Sequence, residues 1–207
     1  MTPRGILHPF PTLEFEEILW TGGFTHIAGI DEAGRGAWAG PVTAAAVILP
    51  ANPSLTRILN QVQDSKLMTP IARDAWTPRI KDAVLGWGVG FSTVKEIDEM
   101  GILPATKLAA TRALENLLPD YLITDYLVFT EIDLPQTALV KGDQRSLSVA
   151  AASVLAKTAR DALMSELDRQ YPDYGFARHK GYGTQFHHEM IKKLKRCEIH
   201  RRSFSIP

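Results

Sequence analysis

Residues 27–42 read IAGIDEAGRGAWAGPV, and the interpretation of the whole chain starts from this stretch. An apolar run ends in two adjacent carboxylates, Asp31 and Glu32, and Arg35 follows three residues later within a Gly-Arg-Gly step. A strand that only had to turn would end in Asn-Gly or Asp-Gly. The paired charges therefore indicate that this strand end does more than reverse the chain.

Outward from this stretch, hydrophobic periodicity predicts alternating strands and helices. The predicted strands cover 25–31, 41–50, 86–94, 121–129 and 137–143. The predicted helices cover 13–20, a segment starting at Thr69-Pro70, 104–118, 146–172 and 183–196. Strands with intervening helices predict an α/β fold, and the hairpin-like spacing of the first three strands predicts a mixed sheet.

Length and composition predict one soluble globular domain. The chain has 207 residues, of which 45% are hydrophobic and 22% are charged. No apolar run approaches the roughly 18–20 residues of a membrane span, and the acidic, proline-broken N-terminus is not expected to be a signal peptide. The single cysteine, Cys197, excludes an intramolecular disulfide and a cysteine zinc cluster. We therefore expect a cytoplasmic protein.

The formal net charge is zero, but positive charge is concentrated near the C-terminus. Residues 178–202 contain two acids, Glu189 and Glu198, and eight basic residues: Arg178, Lys180, Lys192, Lys193, Lys195, Arg196, Arg201 and Arg202. Such an excess can hold a polyanion even in a neutral chain. The alternative is an ordinary solvated helix face.

Two further acids lie in or at the end of apolar runs. Asp125 interrupts YLITDYLVF, and Asp143 ends TALVKGD. A buried lone carboxylate is costly to desolvate, so each acid alone suggests a cap, a salt bridge or a metal ligand. Together with Asp31 and Glu32, they are explained most economically by a shared divalent cation site, and oxygen ligands favour Mg²⁺ or Mn²⁺ over zinc. A carboxylate-held ion pair of this kind acts on phosphodiesters.

The adjacent pair Asp31 and Glu32 poses a geometric difficulty, because neighbouring residues of a regular strand point to opposite faces. Ala33 and Gly34 follow directly. We therefore expect the strand to end at the carboxylates and Glu32 to lie where the chain bends, with its extra methylene group lengthening its reach.

Five blocks of sequence resemble the bacterial ribonuclease HII family. They occur in order between about residues 26 and 204, and they read GIDEAGRGAWAGPV, DSKL, LPQTALVKGDQRSLSVAAASVLAKTARD, HKGYGT and IHRRSF. A single block is weakly specific, whereas five in order with suitable spacing are strongly specific.

The resemblance implies an RNase H-like α/β fold, with a five-stranded mixed sheet flanked by helices and a helical C-terminal region. We expect a single domain over 1–207, with a catalytic core at 26–175 and a basic helical part at 176–207. The implied activity is endonucleolytic hydrolysis of the RNA strand of RNA–DNA hybrids and incision 5′ of single ribonucleotides in duplex DNA. The implied products carry a 3′-hydroxyl and a 5′-phosphate, and the implied cofactor is Mg²⁺ or Mn²⁺.

Matched motif by motif, the four carboxylates resemble the metal-binding catalytic residues of the family. The resemblance also places the loop Gly34, Arg35 and Gly36 against the nucleic-acid backbone, where glycines permit close approach and the guanidinium offers a fork for phosphate. Tyr182 of HKGYGT resembles the tyrosine that hydrogen-bonds the ribose 2′-hydroxyl, the group that distinguishes RNA from DNA. Without the resemblance, these features would be a plain turn and a surface aromatic residue.

Ser65 and Lys66 of DSKL are expected near the substrate backbone, the alternative being an exposed loop. The chain departs from the family pattern here, because DSKL lacks the second lysine of the common DSKKL. It departs again at Tyr126, which replaces the usual glycine after the strand aspartate Asp125. Tyrosine lacks the backbone freedom of glycine, so the conformation beside Asp125 is in question. Asp161 in the long helix is expected to be structural.

Three rival functions are open to this sequence. Ribonuclease HIII carries an additional N-terminal domain, whereas only about 25 residues precede the first strand here. A non-catalytic hybrid-binding module of the same fold would gain nothing from four carboxylates near phosphates. A serine or cysteine hydrolase is disfavoured, since Ser153 and Lys157 are spaced SxxxK and no GxSxG elbow occurs. The expected partners are RNA–DNA hybrids and ribonucleotide-containing DNA, with a monomer as the default state and no membrane or obvious clamp-binding tail.

Overall fold

The computed structural model describes residues 10–206, in which a five-stranded sheet forms the centre. The strands are β1 (Ile27–Ala33), β2 (Val42–Ile48), β3 (Gly86–Ser92), β4 (Tyr121–Asp125) and β5 (Gln136–Leu139). Their spatial order is β3-β2-β1-β4-β5. The β1–β2 and β2–β3 pairs are antiparallel, whereas the β1–β4 and β4–β5 pairs are parallel. The predicted mixed sheet is confirmed.

Helices cover both faces of this sheet. They are α1 (Glu14–Thr21), α2 (Leu55–Ile58), α3 (Pro70–Ala83), α4 (Val94–Met100), α5 (Ile102–Leu114), α6 (Leu147–Gln170), α7 (Phe176–His179) and α8 (Gln185–Leu194). Thr69 caps α3 as predicted, because its hydroxyl accepts a 3.2 Å hydrogen bond from the backbone of Ala72. Helix α4 was not predicted, although Thr93 and Glu96 form a capping box at its start.

The long helix α6 approaches the sheet very closely, as its alanine-rich first half predicts. Ala150, Ala151 and Ala152 are fully buried in the core between α6, α3 and one face of the sheet. A Cβ on Gly29 of β1 would lie 2.3 Å from the backbone of Ser148, so this close contact requires glycine. Helix α5 covers the opposite face with a second apolar core.

The C-terminal segment packs back onto the loop that joins β1 to β2. His200 forms a β-bridge with Ala39, and the backbone of Arg201 donates to the Trp38 carbonyl at 2.8 Å. The division of the chain near residue 176 stays a prediction. The N-terminal stretch on which the signal-peptide prediction was made lies largely outside the described residues. None of the described helices has the length and apolar character that crossing a membrane requires.

Candidate active site

The sheet register brings two of the predicted carboxylates side by side. Strands β1 and β4 are parallel neighbours, and Ile30 pairs with Thr124. Asp31 and Asp125 are the next residues on their strands, so they lie at the same end of the sheet, about one strand spacing (~4.8 Å) apart. Because side chains alternate, both point to the face covered by α6. There the Ser153 hydroxyl of α6 stabilises the Asp31 carboxylate.

Glu32 joins the same end of the sheet, although β1 does not end where the sequence suggested. The strand continues through Ala33, and its pairing with β2 extends to Ala33 and Thr43. The expected strand end at the carboxylates is therefore wrong by two residues, and the bend comes at Gly34, whose φ is 93°. Glu32 nevertheless interacts electrostatically with Asp125. The pairing of β1 with β4 ends at Ile30 and Thr124, so the sheet is open beside Glu32.

Asp125 lies at the end of β4, not inside a strand over 121–129 as the sequence suggested. The strand stops there because Tyr126 adopts a left-handed conformation with φ 64°. The backbone N–H of Gly142 donates to the Asp125 carboxylate at 2.8 Å, which docks the KGD loop onto this strand end.

Because the KGD loop docks onto the end of β4, Asp143 lies near Asp125. The predicted fifth strand over 137–143 is shorter than expected and ends at Leu139. Asp143 lies in a 3₁₀ turn, Gly142–Gln144, that follows a left-handed Lys141. It is buried, and its carboxylate interacts with that of Asp125. All four predicted carboxylates are thus in electrostatic contact at one end of the sheet.

Asp64 is a fifth acid in this group, and the sequence analysis did not single it out. It is buried, and its carboxyl group interacts with that of Asp143 and raises the Asp143 pKa. Its carboxylate also accepts the Lys66 backbone N–H at 2.9 Å. The available signal was its position as the first residue of DSKL. We name these five acids (Asp31, Glu32, Asp64, Asp125 and Asp143) the carboxylate cluster.

Burial and mutual repulsion disfavour the charged form of the cluster. Burial, followed by the charge of Glu32, raises the pKa of Asp31 well above its usual value. Burial also raises the pKa of Glu32, against the opposing effect of Arg35. For Asp143, burial and the neighbouring acids Asp64 and Asp125 raise the pKa to about 6. The cluster therefore stores electrostatic free energy that a bound cation would release.

The donor set fits a hard divalent cation. All of the contributed ligand atoms are carboxylate oxygens, which suit Mg²⁺ and Mn²⁺. Within residues 10–206, no three His, Cys, Asp or Glu side chains have the close arrangement of an assembled metal site. Glu32 pairs with Arg35 at 3.1 Å, and Asp143 interacts with Asp64.

A groove of about 290 Å³ opens beside the cluster and collects the predicted substrate residues. It is lined by Glu32, Ala33, Gly34, Arg35, Gly36, Ser65, Lys66, Lys157 and Tyr182. The six residues predicted from three separate motifs thus lie around one cavity. Lys157 was not predicted, and its place in the groove depends on the packing of α6.

Ser65 and Lys66 occupy different environments within this groove. Ser65 is buried, not in an exposed loop, and its hydroxyl accepts a hydrogen bond from Ser153 at 2.9 Å. Lys66 is exposed. Burial of the ammonium would lower its pKa, but the acids of the carboxylate cluster raise it overall, so the side chain stays positive beside them.

Two buried arginines hold the Gly34–Gly36 loop. Arg201 donates to the carbonyls of Gly34, Arg35 and Gly40 at 2.7, 2.8 and 3.0 Å. Arg160 of α6 donates to the carbonyls of Pro41, Ala39 and Lys180 at 2.9, 3.1 and 2.8 Å. A Cβ on Gly34 would lie 1.9 Å from the Arg160 side chain, so glycine is required here. No feature of the sequence around either arginine predicts this structural role.

Tyr182 faces the groove between two cations. The Lys157 ammonium lies 5.4 Å from its ring centroid, and the Arg160 guanidinium lies 5.3 Å from it. Asp161 pairs with Lys157 at 2.7 Å and with Arg73 at 3.0 Å. The side chain of Asp161 thus fixes α6 and the groove lysine, which agrees with its predicted structural role.

The basic C-terminal segment is less available to a polyanion than its composition suggested. Arg201 is fully buried, and Lys180 is half-buried with its ammonium bound to Ser165 at 2.6 Å. The other six basic residues are exposed: Arg178, Lys192, Lys193, Lys195, Arg196 and Arg202. Two of the eight basic residues, Arg201 and Lys180, therefore stabilise the fold and leave six to contact a polyanion.

Comparisons with known proteins agree with the motifs. A family model described as ribonuclease HII matches residues 28–206. The ribonuclease HII of Chloroflexus aurantiacus is 50% identical over 199 residues, covering 94% of this chain and 93% of its own length. The solved ribonuclease H2 of Pyrococcus horikoshii has a TM-score of 0.71 and 27% identity, covering 88% of this chain and 95% of its own. Bst-RNase HIII in complex with Mn²⁺ shares the fold at 21% identity, with a TM-score of 0.66 and coverage of 83% and 63%.

Proposed function

Because the chain belongs to the ribonuclease HII family and is a ribonuclease H-type endonuclease, we propose that it acts on two related substrates. It hydrolyses the RNA strand of RNA–DNA hybrids, and it incises 5′ of single ribonucleotides embedded in duplex DNA. The products carry a 3′-hydroxyl and a 5′-phosphate. The observation that carries the proposal is the carboxylate cluster, which adjoins a groove lined by Arg35 and Tyr182.

Asp31, Glu32, Asp125 and Asp143 would hold Mg²⁺ or Mn²⁺. When bound, such cations lower the pKa of an attacking water and offset the charge that builds up on the phosphate oxygens. The chain prepares this site by placing buried and partly buried carboxylates at one end of the sheet. The raised pKa values of Asp31, Glu32 and Asp143 support this proposal, because an added positive charge would stabilise their carboxylates.

The Gly34–Gly36 loop would hold the sugar–phosphate backbone. A Cβ on Gly36 would meet no atom within 4 Å, so the space beside this glycine is open to a ligand. The Arg35 guanidinium, 3.1 Å from Glu32, presents further donors to a phosphate oxygen at the edge of the groove. Lys66 and Lys157 add positive charge along the same groove, and Ser65 fixes the DSKL loop to α6.

Tyr182 would read the ribose 2′-hydroxyl, the group that separates a ribonucleotide from its neighbours. Its position supports this role, because the ring faces the groove from the side of the Gly34–Gly36 loop. Arg160 fixes that side by donating to the Lys180 carbonyl, two residues before the tyrosine.

The rival functions are less well supported. The relatives at 46–50% identity are ribonucleases HII, whereas the ribonuclease HIII structure shares only the fold. A binding module without catalysis would repel phosphates with its uncompensated acids. We extend the proposal to a monomer, as the default state, acting in the cytoplasm. The single cysteine supports the cytoplasmic location.

The decisive experiment uses labelled duplexes with no ribonucleotide, one ribonucleotide and four ribonucleotides, incubated with the protein and Mg²⁺ or Mn²⁺. We expect incision 5′ of the single ribonucleotide and no cutting of the all-DNA duplex. Asp31→Asn should reduce the rate about 10³-fold or more, equivalent to about 4 kcal/mol of transition-state stabilisation. Tyr182→Phe should retain cleavage of the longer hybrid and lose preference for the single ribonucleotide. A folded wild-type protein that leaves the single-ribonucleotide duplex intact with either metal would refute the proposal.

A further inference from the structure

Tyr126 occupies a strained turn directly after Asp125. Its φ is 64°, and the backbone N–H of Leu127 donates to the Asp125 carbonyl at 2.7 Å, which closes a three-residue γ-turn. A γ-turn with a positive central φ is rare and strained. The Thr124 hydroxyl donates to the Leu127 carbonyl, so surrounding contacts hold this turn in place.

Packing of the Tyr126 side chain does not compensate for the strain of this turn. It is 66% exposed, and within residues 10–206 its ring takes part in no aromatic pair and no cation–π contact. Its neighbours on the adjoining loops, Val128 and Val140, are 49% and 65% exposed. A bulky residue that is strained, exposed and unpacked beside an active site indicates a role in ligand contact.

The position of Tyr126 relative to the groove defines which part of a ligand it meets. The Gly34–Gly36 loop and Tyr182 lie on the β1–β2 side of the carboxylate cluster. Tyr126 lies on the opposite side, because β4 is the other neighbour of β1 and the Tyr126 backbone donates to Leu139 of β5 at 2.9 Å. A duplex that spans the cluster from Tyr182 therefore continues towards Tyr126.

We propose that Tyr126 is a substrate-binding residue that packs against the deoxynucleotides on the 5′ side of the incised bond. The inference rests on the proposed function: if Tyr182 holds the ribonucleotide on the 3′ side of the cut, the nucleotides across the cluster are those on the 5′ side. Aromatic rings hold nucleotides in a sequence-tolerant way, because every base and sugar presents a stackable face. Lys141, exposed at the end of β5, adds a positive charge near the same duplex arm.

The test compares Tyr126→Gly, Tyr126→Asn and Tyr126→Phe with the wild type. Glycine and asparagine both tolerate a left-handed backbone, so neither variant should lower the Tm, and glycine should raise it. Both variants should raise KM for the single-ribonucleotide duplex about 5- to 10-fold, at the lower end of what loss of one stacking contact produces. Tyr126→Phe should keep a near wild-type KM. Leu118→Ala, which alters a remote residue that is 88% exposed, should leave KM unchanged.

Duplex arm length identifies the contact. When the arm 5′ of the ribonucleotide is shortened to about two base pairs, wild type and Tyr126→Gly should have the same KM, whereas shortening the 3′ arm should preserve their difference. An unchanged KM in Tyr126→Gly, or a difference that disappears only with the 3′ arm, would overturn the inference. Both results leave incision by the wild type intact, so they are distinguishable from failure of the proposed function, in which no variant would incise any duplex.

Discussion

The carboxylate cluster, with three of its five acids buried, and the buried C-terminal scaffold are both rich in ionisable groups, but their polar groups are satisfied in opposite ways. We define the C-terminal scaffold as Arg160, His187, His200 and Arg201. In the scaffold, each guanidinium donates three hydrogen bonds to backbone carbonyls. In the cluster, burial and neighbouring acids raise the pKa of Asp31 and of Asp143. The scaffold is therefore complete without a ligand, whereas in the proposed function a bound cation would complete the cluster.

The histidines of the scaffold extend this contrast. The Cys197 backbone N–H donates to Nδ1 of His200 at 3.0 Å, the two Nε2 atoms of His200 and His187 are 3.0 Å apart, and Nδ1 of His187 lies 3.0 Å from the Tyr182 carbonyl. These partners assign both tautomers: His200 donates to His187, which donates to Tyr182. All four ring nitrogens of His187 and His200 have hydrogen-bond partners of the right kind only when both rings are neutral.

The largest expected effect comes from deleting a scaffold arginine. Arg201→Met leaves the Gly34, Arg35 and Gly40 carbonyls without their donor, so the free energy of unfolding should fall by about 3–5 kcal/mol. Urea denaturation would measure this, with Arg202→Met as the matched exposed control, expected to change stability by less than about 0.5 kcal/mol. Equal stability of the two variants would mean that the buried guanidinium contributes little, and the contrast between the two regions would fail.

Acidification should have the next largest effect, and it should act on the scaffold. Burial lowers the pKa of His187 and of His200 to about 4, below the unfolded value of 6.5. Their contribution to stability is present above pH 6.5 and is lost as the pH falls towards 4, because the unfolded chain binds protons first. At pH 4.5, each of these histidines should lower the free energy of unfolding by about 2–3 kcal/mol relative to neutral pH.

Hydrogen exchange, corrected for the intrinsic pH dependence, locates this effect. Amides of residues 185–200 should lose protection between pH 7 and pH 4.5, while those of β1 and β2 keep theirs. Asp31, Glu32 and Asp143 respond in the opposite direction, since their raised pKa values favour the folded state as the pH falls towards the usual carboxyl range. Equal loss of protection in both regions would show that protonation of His187 and His200 does not cause the loss of stability at low pH.

The smallest expected effect is a change in stability on removing one acid of the carboxylate cluster. Asp31→Asn removes a buried carboxyl group whose pKa is raised by burial and by Glu32, so the protein should be more stable than the wild type at pH 7 without divalent metal. Mg²⁺ should then stabilise the wild type more than the variant, because the variant has less repulsion to relieve. Asp133→Asn, at an exposed acid, is the matched control. A variant less stable than the wild type in the absence of metal would contradict a cluster that stores repulsion.

Much of the site could be predicted from the sequence, because its residues lie in short motifs. Asp31, Glu32 and the Gly34–Gly36 loop belong to one stretch, and their chemistry is evident from residue type and order. Asp64 escaped notice because its neighbours Ser65 and Lys66 carried the expected role. Arg160 and Arg201 escaped because nothing local distinguishes a buried arginine from an exposed one.

The end of β4 shows why strand boundaries were harder to predict. YLITDYLVF reads as one apolar run, yet its second half leaves the sheet so that Leu127 and Phe129 can join the core beneath α5. Only the left-handed Tyr126 permits this change of direction. The substitution of tyrosine for the usual glycine was visible in the sequence, whereas its exposure and strain were not.

By itself, the sequence determined the mixed α/β fold, the family and the chemical character of the site, because periodicity, capping and motif chemistry depend on residues close together along the chain. Only the tertiary structure decided that Asp64 joins the acids, that two of the C-terminal arginines and lysines are withdrawn from the surface, and that Tyr126 faces the opposite flank from Tyr182. These outcomes depend on which residues meet across the sheet order and the packing of α6. Distances between residues far apart in sequence are set by that packing and not by local composition.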